Sequence, residues 1–413
     1  MLFSREMALH PFFYYRTKNI QNAMKKLLNS LLALVMVVGG LCFTSCDEID
    51  LNGGTGNEVT PTTPVVKAAT LCASASIIVA DGEDELLLTV MAGDVDVTDS
   101  AYLYVDNKRM SSNRFTTTKA GSYKFFASYK GKITNQLIIT AANPALYMEL
   151  PVDSMPEVFD GFERHVLIAE ATGTWCGYCP YMIRALELFE ERGSNAGNAV
   201  IVAMHSGDEF SNESSEAAVA ASKVTGFPSC VVNLDPEVLI ENAQPDVNAE
   251  NINTVVGMEL KEAARVGIAA TVAANQDNSM VAVRAAVKVG KDGNYRINAW
   301  LIEDGVAASQ SSYWYEFSNG KASVVIDHKH ILRGASCTSP IQGALLGGKE
   351  ESTAGEVVEF YHEFNVKKAS VKNVANCKVV VLVTATNGTS SKYVVNNIVE
   401  CPVGEAISFA YKN

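Results

Sequence analysis

The sequence predicts a multidomain protein in which two β-rich domains flank a central α/β domain, behind an N-terminal export signal. Three observations support this prediction. Apolar residues alternate at period two within residues 68–145 and again after residue 266, as in half-buried strands. Between these parts, an apolar strand leads into a pair of cysteines and then an amphipathic helix. A chain of 413 residues is long enough for about two to four domains.

Composition and charge narrow the classes of partner. With 48% hydrophobic and 19% charged residues, the chain has the composition of folded globular protein. A net charge of −13 and a pI near 5.0 argue against nucleic acid or an anionic membrane as a direct partner. Nine cysteines are many for a reducing compartment, yet too sparse for a small domain held together by disulfides.

Residues 1–46 read as an export signal whose true start is Met24. Two lysines follow Met24, and the apolar run over residues 31–41 is too short to span a membrane. Thr44-Ser45-Cys46 resembles the lipobox of bacterial lipoproteins. That resemblance implies a lipid on Cys46 and anchoring in the outer membrane of the cell envelope, on the periplasmic face or at the cell surface. A plain secretory signal with an incidental Cys46 is the alternative.

A linker and the first β-rich domain follow. Residues 47–67 are rich in Gly, Thr and Pro and lack periodicity, which predicts a flexible linker. Residues 68–145 contain short alternating strands, and Lys119-Ala-Gly-Ser-Tyr123 resembles the tyrosine corner of immunoglobulin-like sandwiches. The resemblance implies an all-β Ig-like sandwich. We interpret Cys72 as a small buried hydrophobe.

The cysteine pair lies in residues 150–265, where a strand gives way to a helix. Free N–H groups and the helix dipole stabilise a thiolate at a helix start, so Cys176 is the predicted nucleophile. Cys179, one turn further on, can close a small disulfide ring by exchange. A C-x-x-C pair can also be half of a zinc site, but no second C-x-x-C or H-x3-H pair exists in the sequence. Neither a metal nor a cofactor is predicted.

Trp175-Cys-Gly-Tyr-Cys179 resembles the active sites of the thioredoxin superfamily. The resemblance implies an α/β thioredoxin-like domain in which Glu170 is a buried carboxylate that helps to move the proton. It also implies that Phe227-Pro228 is a cis-proline pair beside the dithiol. The substrate groove would then be formed by Trp175, Tyr178, Phe227 and Pro228. The chain departs from the usual pattern at Tyr178 and at Pro180, immediately after the second cysteine.

Two further residues are predicted to lie near this site. His205 ends an apolar strand that begins near residue 198, and it reads as a proton relay or as a cation that stabilises the thiolate. A histidine bonded to backbone at a strand end is an equally good interpretation. Cys230 follows Pro228 by two residues and reads either as a third thiol near the site or, more commonly, as a buried strand cysteine.

Residues 266–413 are predicted to form a C-terminal β-sandwich-like domain. His328 and His330 are predicted to share one strand face, and without a third ligand nearby they favour a structural or recognition role over metal binding. Cys337, Cys377 and Cys401 are scattered. A disulfide between Cys377 and Cys401 is compatible with the sequence but cannot be derived from it.

The order of these parts over residues 24–413 resembles a family of bacterial outer-membrane lipoproteins with an embedded thioredoxin fold. The favoured function is a membrane-tethered thiol–disulfide oxidoreductase acting on protein thiols and disulfides of the cell envelope. Cys176 would attack, Cys179 would resolve, and Glu170 would assist. The alternative is a non-catalytic surface lipoprotein for binding or adhesion, in which the Cys176–Cys179 disulfide only staples a helix start.

Overall fold

Strands dominate the structure, in line with the alternating apolar pattern at both ends of the chain. The computed structural model describes residues 69–155, 161–241, 243–339, 342–386 and 392–412. The predicted export signal, the lipid site at Cys46 and the linker lie outside these residues. No helix among the described residues has the length and apolar character that crossing a bilayer requires.

The first ten strands form two sheets around one apolar core. Their bounds are β1 Thr70–Ala73, β2 Ile77–Val79, β3 Leu86–Ala92, β4 Val95–Asp96, β5 Tyr102–Val105, β6 Lys108–Arg109, β7 Arg114–Phe115, β8 Gly121–Tyr129, β9 Lys132–Ile133 and β10 Leu137–Ala142. One sheet has β3 paired with β1, β4 and β7, and the other runs β2-β10-β8-β5-β6 with β9 on β8. Leu88 from the first sheet and Phe125 and Ile139 from the second share the core.

Seventeen further strands and four helices make up the rest of the described chain. The helices are α1 Cys179–Arg192, α2 Glu213–Ser222, α3 Pro245–Glu259 and α4 Tyr315–Ser318. The strands are β11 Gly161–Phe162, β12 Val166–Thr172, β13 Ala199–His205, β14 Ser229–Val232, β15 Leu239–Glu241, β16 Val266–Ala274, β17 Met280–Val289, β18 Tyr295–Glu303, β19 Val306–Ser311, β20 Ser323–His328, β21 Ile331–Ala335, β22 Ala344–Leu345, β23 Val357–Asn365, β24 Cys377–Thr386, β25 Tyr393–Pro402, β26 Ala406–Ile407 and β27 Tyr411–Lys412.

A nine-stranded mixed sheet is the centre of this part. Its order is β15-β14-β12-β13-β21-β18-β24-β25, with β22 on β18. The strands β12 and β13 are parallel, and β13 continues the sheet by pairing in parallel with β21 at Ala203 and Ile331. The remaining neighbours along the order are antiparallel. Strands from both sides of residue 265 therefore belong to one sheet.

Both faces of this sheet are buried. On one face, α1 and α3 pack over the half that contains β12, with Ile168, Met182 and Ile252 in the shared core. Beside them, the four-stranded sheet β23-β17-β16-β26 packs on the other half. The opposite face has a continuous apolar layer that reaches from Ala169 on β12 to Leu382 on β24. Residues buried on both faces explain why these strands read as unbroken apolar runs.

The fold class predicted from the sequence is wrong. The described part of the chain is mostly β-sheet, and its residues form no separate central α/β domain. The strands expected to form a separate thioredoxin-like sheet are extended by β21, β18, β24 and β25 from the C-terminal part, so no independent C-terminal sandwich is present either. A lone sheet would leave the edge of β13 unpaired, and pairing with β21 removes that open edge.

The N-terminal two-sheet part packs against the remainder. Ile77, Ala142 and Leu146 share a small apolar core with Ala282 and Tyr361 of the C-terminal part. An independent Ig-like sandwich is thus not what the structure presents, since part of its apolar surface is buried by a later segment. Autonomous folding of residues 68–145 stays a prediction.

Candidate functional site

The loop over residues 173–178 connects β12 to α1 and carries the predicted cysteines. Cys176 and Cys179 form a disulfide, with their Cα atoms 5.4 Å apart. The N–H of Cys179 points at the Cys176 sulfur at 3.1 Å. Cys179 and Pro180 open α1, where a missing N–H does not weaken the helix because the first turn has no intrahelical acceptors for its N–H groups. The disulfide therefore closes the junction between loop and helix.

Both sulfurs are covered. Cys176 is 3% exposed and Cys179 is fully buried. The loop packs against the hairpin made of β19, the turn around α4, and β20, which we call the covering hairpin (residues 306–328). Its backbone binds the loop directly, since the N–H of Ser311 donates to Thr174 O and the N–H of Tyr313 donates to Gly177 O, each at 2.8 Å.

A buried side chain completes this attachment. The Gln310 amide nitrogen donates to Cys176 O at 2.9 Å and lies 3.3 Å from Gly173 O. At Gly177 the ring of Tyr313 lies so close that an added Cβ would stand 2.6 Å from it. The loop and the covering hairpin thus fit without free space between them.

Aromatic side chains are exposed on the outer side of the loop. Trp175 is 52% exposed, Tyr178 54% and Tyr313 72%. The ring of Tyr178 meets Tyr313 edge-on, with centroids 5.0 Å apart. Seven rings, which we call the aromatic surface, form two groups of ring contacts: Trp175 with Phe227, and Tyr178 with Tyr181, Tyr313, Trp314 and Phe317.

The position of Trp175 is fixed by small residues and one hydrogen bond. Its indole N–H donates to Ser206 O at 2.8 Å. A Cβ at Gly173 would stand 2.7 Å from the indole nitrogen, so the ring needs a glycine there. Its other neighbour is Phe227, with centroids 5.5 Å apart, and the Phe227–Pro228 peptide bond is cis. These contacts hold a large exposed ring rigid.

Asp208 anchors the start of the loop to the end of β13. One carboxylate oxygen accepts the Thr174 N–H at 2.8 Å and lies 2.7 Å from Nδ1 of His205. Burial alone would raise the pKa of Asp208, but the hydrogen bonds from His205, Thr174 and Phe210 outweigh burial and lower that pKa to about 2. The His205 side chain is thus bonded to a carboxylate rather than to backbone. Asp208 in turn holds the start of the loop through its hydrogen bond from Thr174.

A small polar cavity of about 40 Å³ lies inside the molecule near this pair. Glu170, Thr172 and His328 line it, are each more than nine-tenths buried, and each carry one polar atom that no described group hydrogen-bonds. Burial raises the pKa of Glu170 to about 7, against opposing effects of Thr172 and His330. Burial, with help from His205, lowers the pKa of His328 to about 4.

Glu170 faces a third cysteine across the sheet. Glu170 on β12 pairs in register with Cys230 on β14. Burial and the neighbouring Glu170 raise the pKa of Cys230 well above its usual range. No hydrogen bond joins Glu170 to Cys176 or Cys179 among the described residues. Cys230 fits the interpretation as a buried strand cysteine.

The remaining predicted residues lie apart from the loop. His328 ends β20, whereas His330 is in the turn after it with a positive φ of 57°, so the two do not share a strand face. His330 instead approaches Glu190, with Nε2 3.3 Å from a carboxylate oxygen. Within the described residues, no set of three or more His, Cys, Asp or Glu is arranged to hold a metal ion.

The scattered cysteines do not form the disulfide that the sequence allowed. Cys377 and Cys401 are both free thiols and both buried. Burial raises the pKa of Cys377 to about 12 and that of Cys401 to about 11. These thiols are therefore protonated and unreactive at neutral pH.

The covering hairpin was not predicted as part of the site. Its signal is present in the sequence as an aromatic run, Tyr313-Trp-Tyr-Glu-Phe317, between two short strands of alternating character. A run of this kind in a turn is unusual, because turns are normally built from small polar residues. Nothing local in the sequence indicates that this turn lies over Cys176.

Comparison with known proteins bears on the C-terminal half of the chain. The family model "Outer membrane protein Omp28" matches residues 215–406. The matched residues are similar to the Omp28 outer membrane protein family. The Omp28 match confirms the predicted localisation, the outer membrane of the cell envelope with a lipid anchor. A search of curated proteins finds no match.

Two solved structures from Porphyromonas gingivalis are similar to this chain at low identity. The structure of HBP35 is 16% identical with a TM-score of 0.46, and the alignment covers 59% of this chain and 76% of that one. A domain of the outer membrane lipoprotein Omp28 is also 16% identical with a TM-score of 0.21, covering 34% of this chain and 88% of that one. Both TM-scores lie below 0.5, so neither structure is used to assign a fold.

The favoured function from the sequence, thiol–disulfide exchange, is wrong. The family match is to outer membrane proteins and fits a non-catalytic surface protein better. The structure gives the physical reason, since exchange needs an attacking sulfur that a substrate can reach. Here Cys176 and Cys179 are both buried, and the hairpin binds the backbone of the loop on either side of Cys176. Neither the thioredoxin-like nor the Ig-like identification is confirmed.

Proposed function

We propose that this protein is a non-catalytic surface lipoprotein that binds a partner through the aromatic surface. The observation that carries the proposal is the opposite exposure of the two sides of one loop. Cys176 and Cys179 are buried, while Trp175 and Tyr178, their immediate neighbours in the chain, are more than half exposed. The disulfide is then a structural staple, and the rings are the functional groups.

Rigid exposed aromatic side chains are well suited to binding. Tyr and Trp offer a large contact area and lose little conformational entropy when a partner orders them. Here the rings are already ordered by the Trp175 hydrogen bond to Ser206 and by the stacking of Tyr181 on Trp314, with centroids 4.9 Å apart. Preorganisation of this kind lowers the entropic cost of association.

The staple explains why a disulfide is present at a site without exchange chemistry. It joins the loop that carries Trp175 and Tyr178 to the first turn of α1, whose Tyr181 belongs to the same surface. Fixing the junction fixes the spacing between rings on both sides. A cell envelope is an oxidising environment in which such a disulfide persists.

Hydroxyl-radical footprinting on intact cells tests the proposal without knowledge of the partner. The full-length protein is labelled once on cells that display it and once after purification. We expect Trp175, Tyr178 and Tyr313 to be modified several-fold less on cells than in the purified protein. Tyr102 on β5 is the internal control, because it is 52% exposed and lies outside the aromatic surface.

Two results would count against the proposal. Equal modification of Trp175 and Tyr313 on cells and in solution would mean that nothing occupies the aromatic surface. Uniform protection that includes Tyr102 would mean that the cell envelope merely shields the whole protein. In either case another face of the molecule would have to carry the function.

A further inference from the structure

We infer that the partner of the aromatic surface is a neutral glycan. This inference rests on the proposed function and adds the chemical class of the ligand. It is drawn from the residues of the three segments that carry six of the seven rings, namely 173–178, 225–228 and 311–319. Their composition differs sharply from that of the chain as a whole.

Charge is nearly absent from these segments. Glu316 is their only charged residue, in a chain of which 19% is charged. A surface that binds phosphate, sulfate or uronate groups needs Arg or Lys, which these segments lack. A cationic partner would need several carboxylates. The ligand is therefore expected to be uncharged.

Aliphatic side chains are absent as well. The three segments contain no Leu, Ile, Val or Met. A lipid surface is bound by Leu, Phe and Trp inserted at the acyl boundary, with Lys or Arg at the headgroups. These segments offer rings together with Ser, Thr, Gly and Asn instead.

Rings combined with small polar groups match the chemistry of a pyranose. A sugar ring has one face of C–H groups with slight positive charge, and an aromatic face is negative, so the two attract when stacked. Sugar hydroxyls need neutral donors and acceptors, which the exposed Thr225, Asn319 and the phenol of Tyr313 provide. Trp175 and Tyr313 belong to different groups of rings, so substituting each of them tests each group separately.

Affinity electrophoresis of the full-length protein tests this inference. The protein, kept in a detergent without sugar groups, runs through native gels that contain dextran, laminarin or galactomannan, with alginate as an anionic polysaccharide. We expect at least one neutral polysaccharide to retard the protein and alginate not to. Trp175→Ala and Tyr313→Ala should each weaken retardation about tenfold, as expected for a central aromatic contact.

Two variants show whether ring chemistry is responsible. Tyr313→Phe keeps the ring and should keep most of the retardation, whereas Tyr102→Ala removes a tyrosine that is 52% exposed elsewhere and should change nothing. Tryptophan fluorescence gives a second readout on binding. Of the three tryptophans, Trp175 and Trp314 lie in the aromatic surface and Trp300 is fully buried, so a shift caused by added polysaccharide reports on the surface.

The outcomes separate this inference from the proposed function. Retardation by no neutral polysaccharide, or retardation that survives in Tyr313→Ala, would overturn the glycan assignment. If footprinting on cells still protects Trp175 and Tyr313 in that case, the surface binds another class of partner and the proposed function stands. Association with phosphatidylcholine vesicles, lost in Trp175→Ala, would identify a lipid surface instead and overturn the glycan assignment.

Discussion

The two sides of the loop over residues 173–178 have opposite environments. On the outer side, Trp175 and Tyr178 are exposed among other rings, whereas on the inner side Cys176 is buried and its carbonyl oxygen accepts a hydrogen bond from Gln310. The cysteine motif alone indicates redox chemistry, because an exposed thiolate at a helix start is reactive. The covering hairpin removes that condition. A motif specifies chemistry only when the rest of the chain leaves it accessible.

Separating the covering hairpin from the loop should have the largest effect. Gln310→Ala removes the buried amide that donates to Cys176 O and leaves a cavity in its place, while Cys176 O and Gly173 O keep only their backbone donors. We expect a loss of about 3 kcal/mol in the free energy of unfolding. Chemical denaturation measures it, with Ser309→Ala, exposed on the same strand, as the control. A loss below about 0.5 kcal/mol would mean that the hairpin does not seal the inner side.

The inner side should also give the protein an unusual pH dependence. The pKa of Glu170 rises from 4.5 to about 7 in the folded protein, so the protonated folded form is favoured. Protonated Glu170 therefore stabilises the folded protein fully below pH 4.5, and this stabilisation is lost as the pH rises through 7. Glu170→Gln should remove this decline and stabilise the protein at pH 8 by about 3 kcal/mol.

Thermal unfolding measured from pH 4.5 to pH 8 checks this expectation. Glu187→Gln changes a partly exposed carboxylate that lines the same cavity and should leave the slope of stability against pH as it is. A Glu170→Gln variant with the same slope as the natural protein would show that Glu170 is ionised throughout this range.

Removing the disulfide should affect stability more than binding. Cys176→Ser combined with Cys179→Ser opens a ring of very few residues, which costs about 2 kcal/mol in the chain-entropy view. The loop stays attached through the backbone bonds of Ser311 and Tyr313. Denaturation curves of the natural and doubly substituted proteins measure the loss. An unchanged midpoint would contradict the structural role of the disulfide.

A smaller effect is expected where the two sides meet. Gly177→Ala places a Cβ 2.6 Å from the ring of Tyr313, so the ring has to move and about 1 kcal/mol of stability is lost. Adding Tyr313→Ala to this variant should recover the lost stability, since the clash between the Cβ and the ring disappears. A double-mutant cycle by denaturation measures the coupling. Additive effects would mean that Tyr313 does not cover Gly177.

Local features of the site could be predicted from the sequence. The strand before the cysteines, the helix after them and its buried residues Met182 and Phe189 follow from apolar periodicity, and the structure contains them. The cis bond at Pro228 agrees with the motif resemblance. These features depend on neighbours in the sequence, which is why a pattern can reveal them.

Long-range pairing could not be predicted. Strand β21 pairs with the edge of β13 at one residue pair, Ala203 with Ile331. No periodicity in either strand indicates this partner. The same holds for the covering hairpin, which binds the loop through backbone groups that any sequence possesses. The predictions of fold class and of function were both wrong because they depended on such contacts between distant parts of the chain.

The most direct test of the central claim is binding by a protein without the disulfide. Footprinting on intact cells is repeated with the Cys176→Ser and Cys179→Ser substitutions together, at a temperature where this variant is folded. The account predicts that Trp175 and Tyr313 stay protected on cells as in the natural protein, because the rings bind and the disulfide only supports them. Loss of that protection in a folded variant would contradict the account.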